Sequence, residues 1–284
     1  MAPCTGGRID PLRYLVPSLA LVSLMHIIPL LYCTLYLATP DAGTIAGRFA
    51  PPPSAVRTTV ATGSFAAYLR ALPLLPSGTA VHTFNGGLKA RQDVHAAVVD
   101  VSVGPKDLQQ CADAAMRLRA EYLFAHGRHA EIHFNFTNGF RADFARWAAG
   151  ERIKVKGNSC TWVRTGAKDA SHASLIAYLD VVFTYAGTLS LSKELKTAGD
   201  TPIEAGDVFI QGGSPGHAVM VVDVARTPDG RQAFLIAQSY MPAQWIHVLK
   251  NLHQPDHGAW YMAGEGPVLA TPEWTFRWSD RKRW

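Results

Sequence analysis

Three apolar runs constrain the fold most. They are "GDVFIQGG" (206–213), "HAVMVVDVA" (217–225) and "RQAFLIAQSY" (231–240). Each is of strand length, rich in β-branched or aromatic residues and bounded by turn residues, so they read as three successive strands. Strands joined by short turns pair antiparallel, and "TPDG" (227–230) supplies the second turn. If Arg226 pairs with Arg231 across it, Val219 faces Gln238 and His217 faces Tyr240. His217 and Gln238 then share one face as diagonal neighbours, and a slip of one residue would separate them.

The segments before these strands are largely helical. "SFAAYLRAL" (64–72) has helical spacing, as do "DLQQCADAAMRLRAEYLFAHG" (107–127) and "SLIAYLDVVFTYAGTLSLSKEL" (174–195), the last interrupted at Gly187. Runs at 94–103 and 131–139 read as strands, and "TPEWTFRW" (271–278) as a final one. Helices first and a sheet later give an α+β class, with helices packed on a small antiparallel sheet. In the helix at 107–127, Asp107 is the expected cap, Gln110 completes a capping box and Gly127 stops the helix. Its stripe of Leu108, Cys111, Ala115, Leu118 and Tyr122 turns Cys111 toward the core in the first turn. There the helix dipole favours thiolate, while Asp107 and Asp113 oppose it. Free cysteine is among the most buried residue types, so the stripe alone favours core packing. A partner imidazole changes that balance, and His217 is the candidate.

The N-terminus is of another kind. Residues 14–38 carry no charged side chain, with Arg8 and Arg13 before them and Asp41 after. About 20 apolar residues cross a bilayer, and the positive flank belongs on the cytoplasmic side. The apolar region of a cleaved signal peptide spans only about 7–15 residues. Residues 1–38 therefore read as a cytoplasmic tip and transmembrane anchor, with a signal segment as the alternative. Tyr32 is too bulky before Cys33 for a lipoprotein cleavage site. Residues 39–55, rich in Pro and Gly, read as a linker, and 56–284 as one globular extracytoplasmic domain, membrane-anchored or secreted.

The net charge of +5 is dispersed, without a Lys/Arg block or a stacking motif, so nucleic acid is not an expected partner. Cys111 and Cys160 are the cysteines of the folded part, and a disulfide between them would remove both thiols. "GNSCTWV" around Cys160 lacks a following helix start. Asp223 lies about 20 Å along its strand from His217, and Asp207 reads as a turn cap. His247, His253 and His257 match no zinc spacing and read as surface residues; no metal and no cofactor is expected. Trp147, Trp245, Trp260 and Trp274 are candidates for an exposed sugar-binding row. "SYMPAQ" (239–244) brings Ser239 and Tyr240 toward a pocket near Gln238.

A thiol at a helix start, an imidazole at a strand start and an amide on the next strand resemble the papain-like cysteine hydrolases, especially the NlpC/P60 and CHAP branches. The residues that carry this are "QQCADA" with Cys111, and "GDVFIQGGSPGHAVMVVD" with Gly206, Asp207 and His217. The resemblance implies a papain-like core in which Cys111 is the nucleophile, His217 the base and Gln238 the orienting group. The Cys111 N–H with Gln110 would serve the oxyanion, and cell-wall peptides would be the substrate class. The alternative is a non-catalytic envelope module that binds a glycan or a partner protein. A broader resemblance, through "QQCADAAMRLRAEYL", "FNFTNGFRADFARWAAGERI", "VFTYAGTLSLSKEL", "AQSYMPAQWIHVLKN" and "TPEWTF", is to an exported bacterial family called domain of unknown function 4846. It implies an exported, often lipid-anchored protein and carries no activity.

Overall fold

The three-strand run lies at the centre of the fold. The computed structural model describes residues 43–284, so the expected anchor at 14–38 lies outside the described residues. Among the described residues the principal strands are β1 (His95–Val98), β2 (Lys196–Thr197), β3 (Val208–Gln211), β4 (His217–Arg226), β5 (Gln232–Gln238), β6 (His247–Leu249) and β7 (Arg281–Arg283). They form an antiparallel sheet in the order β1-β6-β5-β4-β3-β7-β2, extended by Val56–Arg57 beside β4 and Tyr261–Met262 beside β5. The class is α+β, and the sheet, at nine strands, is larger than expected. The helices are α1 (Ile45–Arg48), α2 (Phe65–Arg70), α3 (Cys111–Ala125), α4 (Phe144–Ala148), α5 (His172–Tyr185) and α6 (Thr188–Glu194). Gly187 separates α5 from α6, which diverge by 102°. Among the described residues no single helix is long and apolar enough to cross a membrane.

Both faces of the sheet are covered, so β4 and β5 are buried nearly end to end. Ala218, Met220 and Val222 join the cluster built around α3. Val219, Val221 and Val224 join a second cluster with Phe209, Phe234 and Phe276. Helix α3 is buried almost all round, well beyond the one stripe read from its sequence. Ala112, Ala114, Ala115 and Ala120 are all buried, and small side chains permit close packing on several sides at once.

The β4–β5 register reaches the expected pairing by an unexpected route. Arg226 pairs with Gln232, not Arg231. The pairing then shifts: Leu235 faces Asp223 and Ile236 faces Val221, which leaves Val222 as the extra residue of a β-bulge. Beyond the bulge the register is the one the turn suggested, so the turn, longer by one residue, and the bulge cancel at the His217 end. Several pairings escaped the sequence reading, three of them near the helices or the sheet edge. Glu151–Lys156 pairs with Ser159–Arg164, Arg141–Asp143 with His133–Asn135, and β7 closes the sheet beyond β3.

The stretch read as a linker is part of the fold from residue 43 onward. Ile45 is fully buried, and Arg57 bonds the carbonyls of Ala46 and Phe49 while it pairs with Asp223. Asp223, 0% exposed, also pairs with Arg70. Arg70 in turn bonds the Thr58 hydroxyl and the Val224 carbonyl. Local Pro/Gly content suggests a flexible tether; a buried ion cluster far along the chain overrides it. Asp207 has a similar role, accepting from the Glu204 N–H and binding Arg281 and Arg283 of β7.

Candidate functional site

Helix α3 begins later than expected, with Gln110 as the N-cap and Cys111 as its first residue. The Asp113 carboxylate accepts from the Gln110 N–H at 2.9 Å. Asp107 lies before the helix and accepts from the Ala243 N–H and the Gln110 side-chain amide. Gln110 thereby turns its amide donor toward Asp107. Cys111 is half-buried, and both Cys111 and Cys160 are free thiols, so the alternative disulfide is not formed. Burial, reinforced by the Asp113 charge, pushes the Cys111 thiol up to about 11. The N–H groups of Ala112, Ala218 and Cys111 itself oppose that shift without reversing it. Of the opposing influences the sequence set out, desolvation together with Asp113 outweighs the helix end.

His217 opens β4, and Gly216 before it permits a tight entry. A side chain on Gly216 would meet the Gly213 carbonyl at 2.5 Å and the Gln211 carbonyl at 2.8 Å. The imidazole is 2% exposed, flanked by Tyr240, Trp274 and Phe276. Its Nε2 lies 2.8 Å from Gln238 Oε1, so strand geometry alone paired these two residues correctly. The rest of the network was not read from the sequence. Gln238 Nε2 donates to Glu273 at 2.7 Å, and Glu273 pairs with Lys89 at 2.6 Å, all largely buried. The Lys89 ammonium also sits 5.0 Å over the Tyr240 ring.

This chain of bonds fixes a proton. A carboxylate only accepts, so Glu273 holds the Gln238 amide with its N–H outward and its oxygen toward His217. His217 Nε2 must therefore donate, and Nδ1 keeps the lone pair. Nδ1 makes no hydrogen bond among the described residues, so it is the uncommitted basic nitrogen. His247 closes the far end: its Nε2 lies 3.3 Å from Gln238 Nε2, and its Nδ1 donates to the Trp245 carbonyl. His247 is fully buried, which corrects its reading as a surface residue, while His253 is exposed as expected. Burial lowers His217 to about 4 and His247 to about 3.

Cys111, His217, Gln110 and Tyr240 line one cleft of about 610 Å³, together with Trp274, Phe183 and the 213–216 loop. The thiol comes from the helix-covered side of the sheet and the imidazole from the opposite face. They share a cleft because His217 is the first residue of β4, where the sheet ends. No hydrogen bond joins them among the described residues. Ser239 is a correction: it is fully buried, does not line the cleft, and exchanges hydrogen bonds with Gln244. Trp147 and Trp260 are buried, so the tryptophans form no exposed row; Trp274 alone of the four flanks His217. No cluster of three or more potential metal ligands occurs among the described residues.

The family model described as "Domain of unknown function (4846)" matches residues 45–283, and the chain belongs to that family. The match begins at the buried Ile45, in agreement with a fold that includes the presumed linker. No curated protein and no solved structure matches the chain.

Proposed function

We propose that this protein is a thiol hydrolase of papain-like topology, acting on amide or ester bonds outside the cytoplasm, with residues 14–38 as its membrane anchor. One observation carries the reading. The cleft holds a thiol at a helix start and an imidazole whose proton is fixed on Nε2, which leaves Nδ1 free to accept. The resting pair is neutral, a thiol below about 11 and an imidazole above about 4. Proton transfer therefore accompanies attack, in place of a preformed ion pair.

In the first step Cys111 sulfur bonds to the carbonyl carbon and its proton moves to His217 Nδ1. The tetrahedral oxyanion is met by the Cys111 N–H at the helix start. The C–N or C–O bond then breaks as Nδ1 returns the proton to the leaving group, and water hydrolyses the thioester. Cell-wall peptides are the proposed substrate class, on the family resemblance alone.

The test uses the full chain with p-nitrophenyl acetate and with purified murein sacculi. Cys111→Ser and His217→Ala are each expected to lower turnover by about 10³-fold or more without loss of cooperative unfolding. Turnover unchanged in both variants would overturn the proposal. A second reading, a non-catalytic module that binds through the same cleft, is favoured by the neutral thiol and its missing bond to His217. Sacculus binding retained in Cys111→Ala, with no turnover by the wild type, would establish it.

A further inference from the structure

A second cavity, of about 500 Å³, adjoins the cleft, and Leu108 and Phe183 line both. Its volume is in the range of small-molecule sites, about 300–1,000 Å³. Val103, Ile176 and Leu179 give it an apolar wall. Its polar residues are already matched. Arg117 pairs with Glu121, Lys106 with Asp180, and His172 with Glu121.

Gln109 is the exception. It lines this cavity, is 1% exposed and holds a left-handed backbone at φ 66°. Its Oε1 accepts from Arg117 Nη1 at 2.7 Å. Arginine only donates, so this contact fixes the amide orientation. The Gln109 Nε2 donor is then buried with no partner. A buried donor left unmet is destabilising, so the site calls for an acceptor. Gln109 also lies two residues before Cys111, so their Cα atoms are at most about 7.6 Å apart.

We infer that this cavity binds an apolar chain carrying an uncharged carbonyl, the acyl portion of the molecule processed at Cys111. The carbonyl oxygen accepts from Gln109 Nε2, and the chain packs on Val103, Ile176 and Leu179. An uncharged acceptor fits better than a carboxylate, because among the described residues that line the cavity Arg117 is balanced by Glu121 and Lys106 by Asp180. The assignment rests on the hydrolase reading for the term acyl portion, but not for binding.

The experiment measures alkylation of Cys111 in the full chain by N-methyl and N-octyl chloroacetamide, followed by mass spectrometry of the peptide that contains Cys111, which separates it from the other three cysteines. N-octyl is expected to react at least about tenfold faster, since each buried methylene contributes about 0.8 kcal/mol. Ile176→Trp fills the half-buried wall. It should bring the ratio close to one. A ratio near one in the wild type, or one unmoved by Ile176→Trp, overturns the inference. Binding of N-octanoylglycinamide, followed at the Ile176 methyl by NMR, reads the same site without thiol chemistry. It should weaken several-fold in Gln109→Met and exceed binding of sodium octanoate. Equal or tighter octanoate, or no methyl shift, overturns the assignment, with water then the only partner of Gln109 Nε2. Length-dependent alkylation without turnover would sink the hydrolase reading alone, and turnover with a flat length dependence would sink this one alone.

Discussion

The two ends of β4 both bury a polar side chain, and they are finished differently. At one end Asp223 is closed off by Arg57 and Arg70, whose Nη2 groups also donate to backbone carbonyls and the Thr58 hydroxyl. At the other, His217 is braced through Gln238 and Glu273 to Lys89, yet keeps Nδ1 uncommitted on a residue that lines a cleft. The first end is a clasp with every partner supplied by the protein. The second commits three residues, Gln238, Glu273 and Lys89, to fixing the His217 proton on Nε2 and leaves Nδ1 without a partner among the described residues. Burial of a charged or polar group is thus no sign of function by itself; an unmet valence at the end of a rigid network is.

That contrast can be broken from either end. The largest stability effect is expected at the clasp. Asp223→Ala leaves two guanidiniums without their buried counter-ion and should cost about 3–5 kcal/mol, read by urea unfolding. Alkylation of Cys111 should be unchanged under folding conditions; a changed rate would show that the two ends are coupled. Glu273→Gln is the matching change at the cleft. The new amide no longer dictates which way Gln238 points, so the His217 proton is free to move to Nδ1. Turnover should fall by about two- to tenfold, in proportion to the fraction of His217 that loses its free Nδ1, and ¹⁵N NMR should show a mixture of imidazole tautomers. A pure Nε2–H signal in that variant would remove Glu273 from the proton-fixing role.

Titration sharpens the comparison with smaller effects. Below about 4 the His217 imidazole is protonated and cannot accept, so kcat/KM should fall on the acid side near that value. Alkylation of Cys111 should instead rise toward about 11, as thiolate appears. Fast alkylation below pH 7 would mean an ion pair after all.

Folding stability carries a second signature. His217 is lowered in the folded state, so its contribution is lost as pH falls from about 6.5 toward about 4. Asp113 is raised by burial to about 7, so it works the other way, favouring the fold at the lower pH. Asp113→Asn removes the opposing proton. The dependence of stability on pH between about 4 and 6.5 should steepen by about 1.4 kcal/mol per pH unit, measurable by urea unfolding.

Local pattern accounts for a definite part of this molecule. Apolar runs and turn chemistry placed β3, β4 and β5 in order, and strand parity put His217 beside Gln238. Helical spacing put Cys111 at the head of α3, and Gly187 marked the break between α5 and α6. These features depend on residues a few positions apart, whose geometry the backbone fixes wherever the segment lies. The bulge at Val222 was not legible, because nothing in "MVVDV" distinguishes the unpaired valine from its neighbours. The clasp that holds residues 45–57, the Lys89–Glu273 brace and the burial of His247 were not legible either, since each joins distant segments.

The sequence by itself determined the α+β class, the central antiparallel strands and the two side chains, thiol and imidazole, that the cleft contains. Tertiary structure decided their protonation. A thiol at a helix start is acidic in water, but the charge it would carry must be solvated by whatever surrounds it. Only the packed fold, which excludes water and sets Asp113 nearby, makes the neutral form prevail.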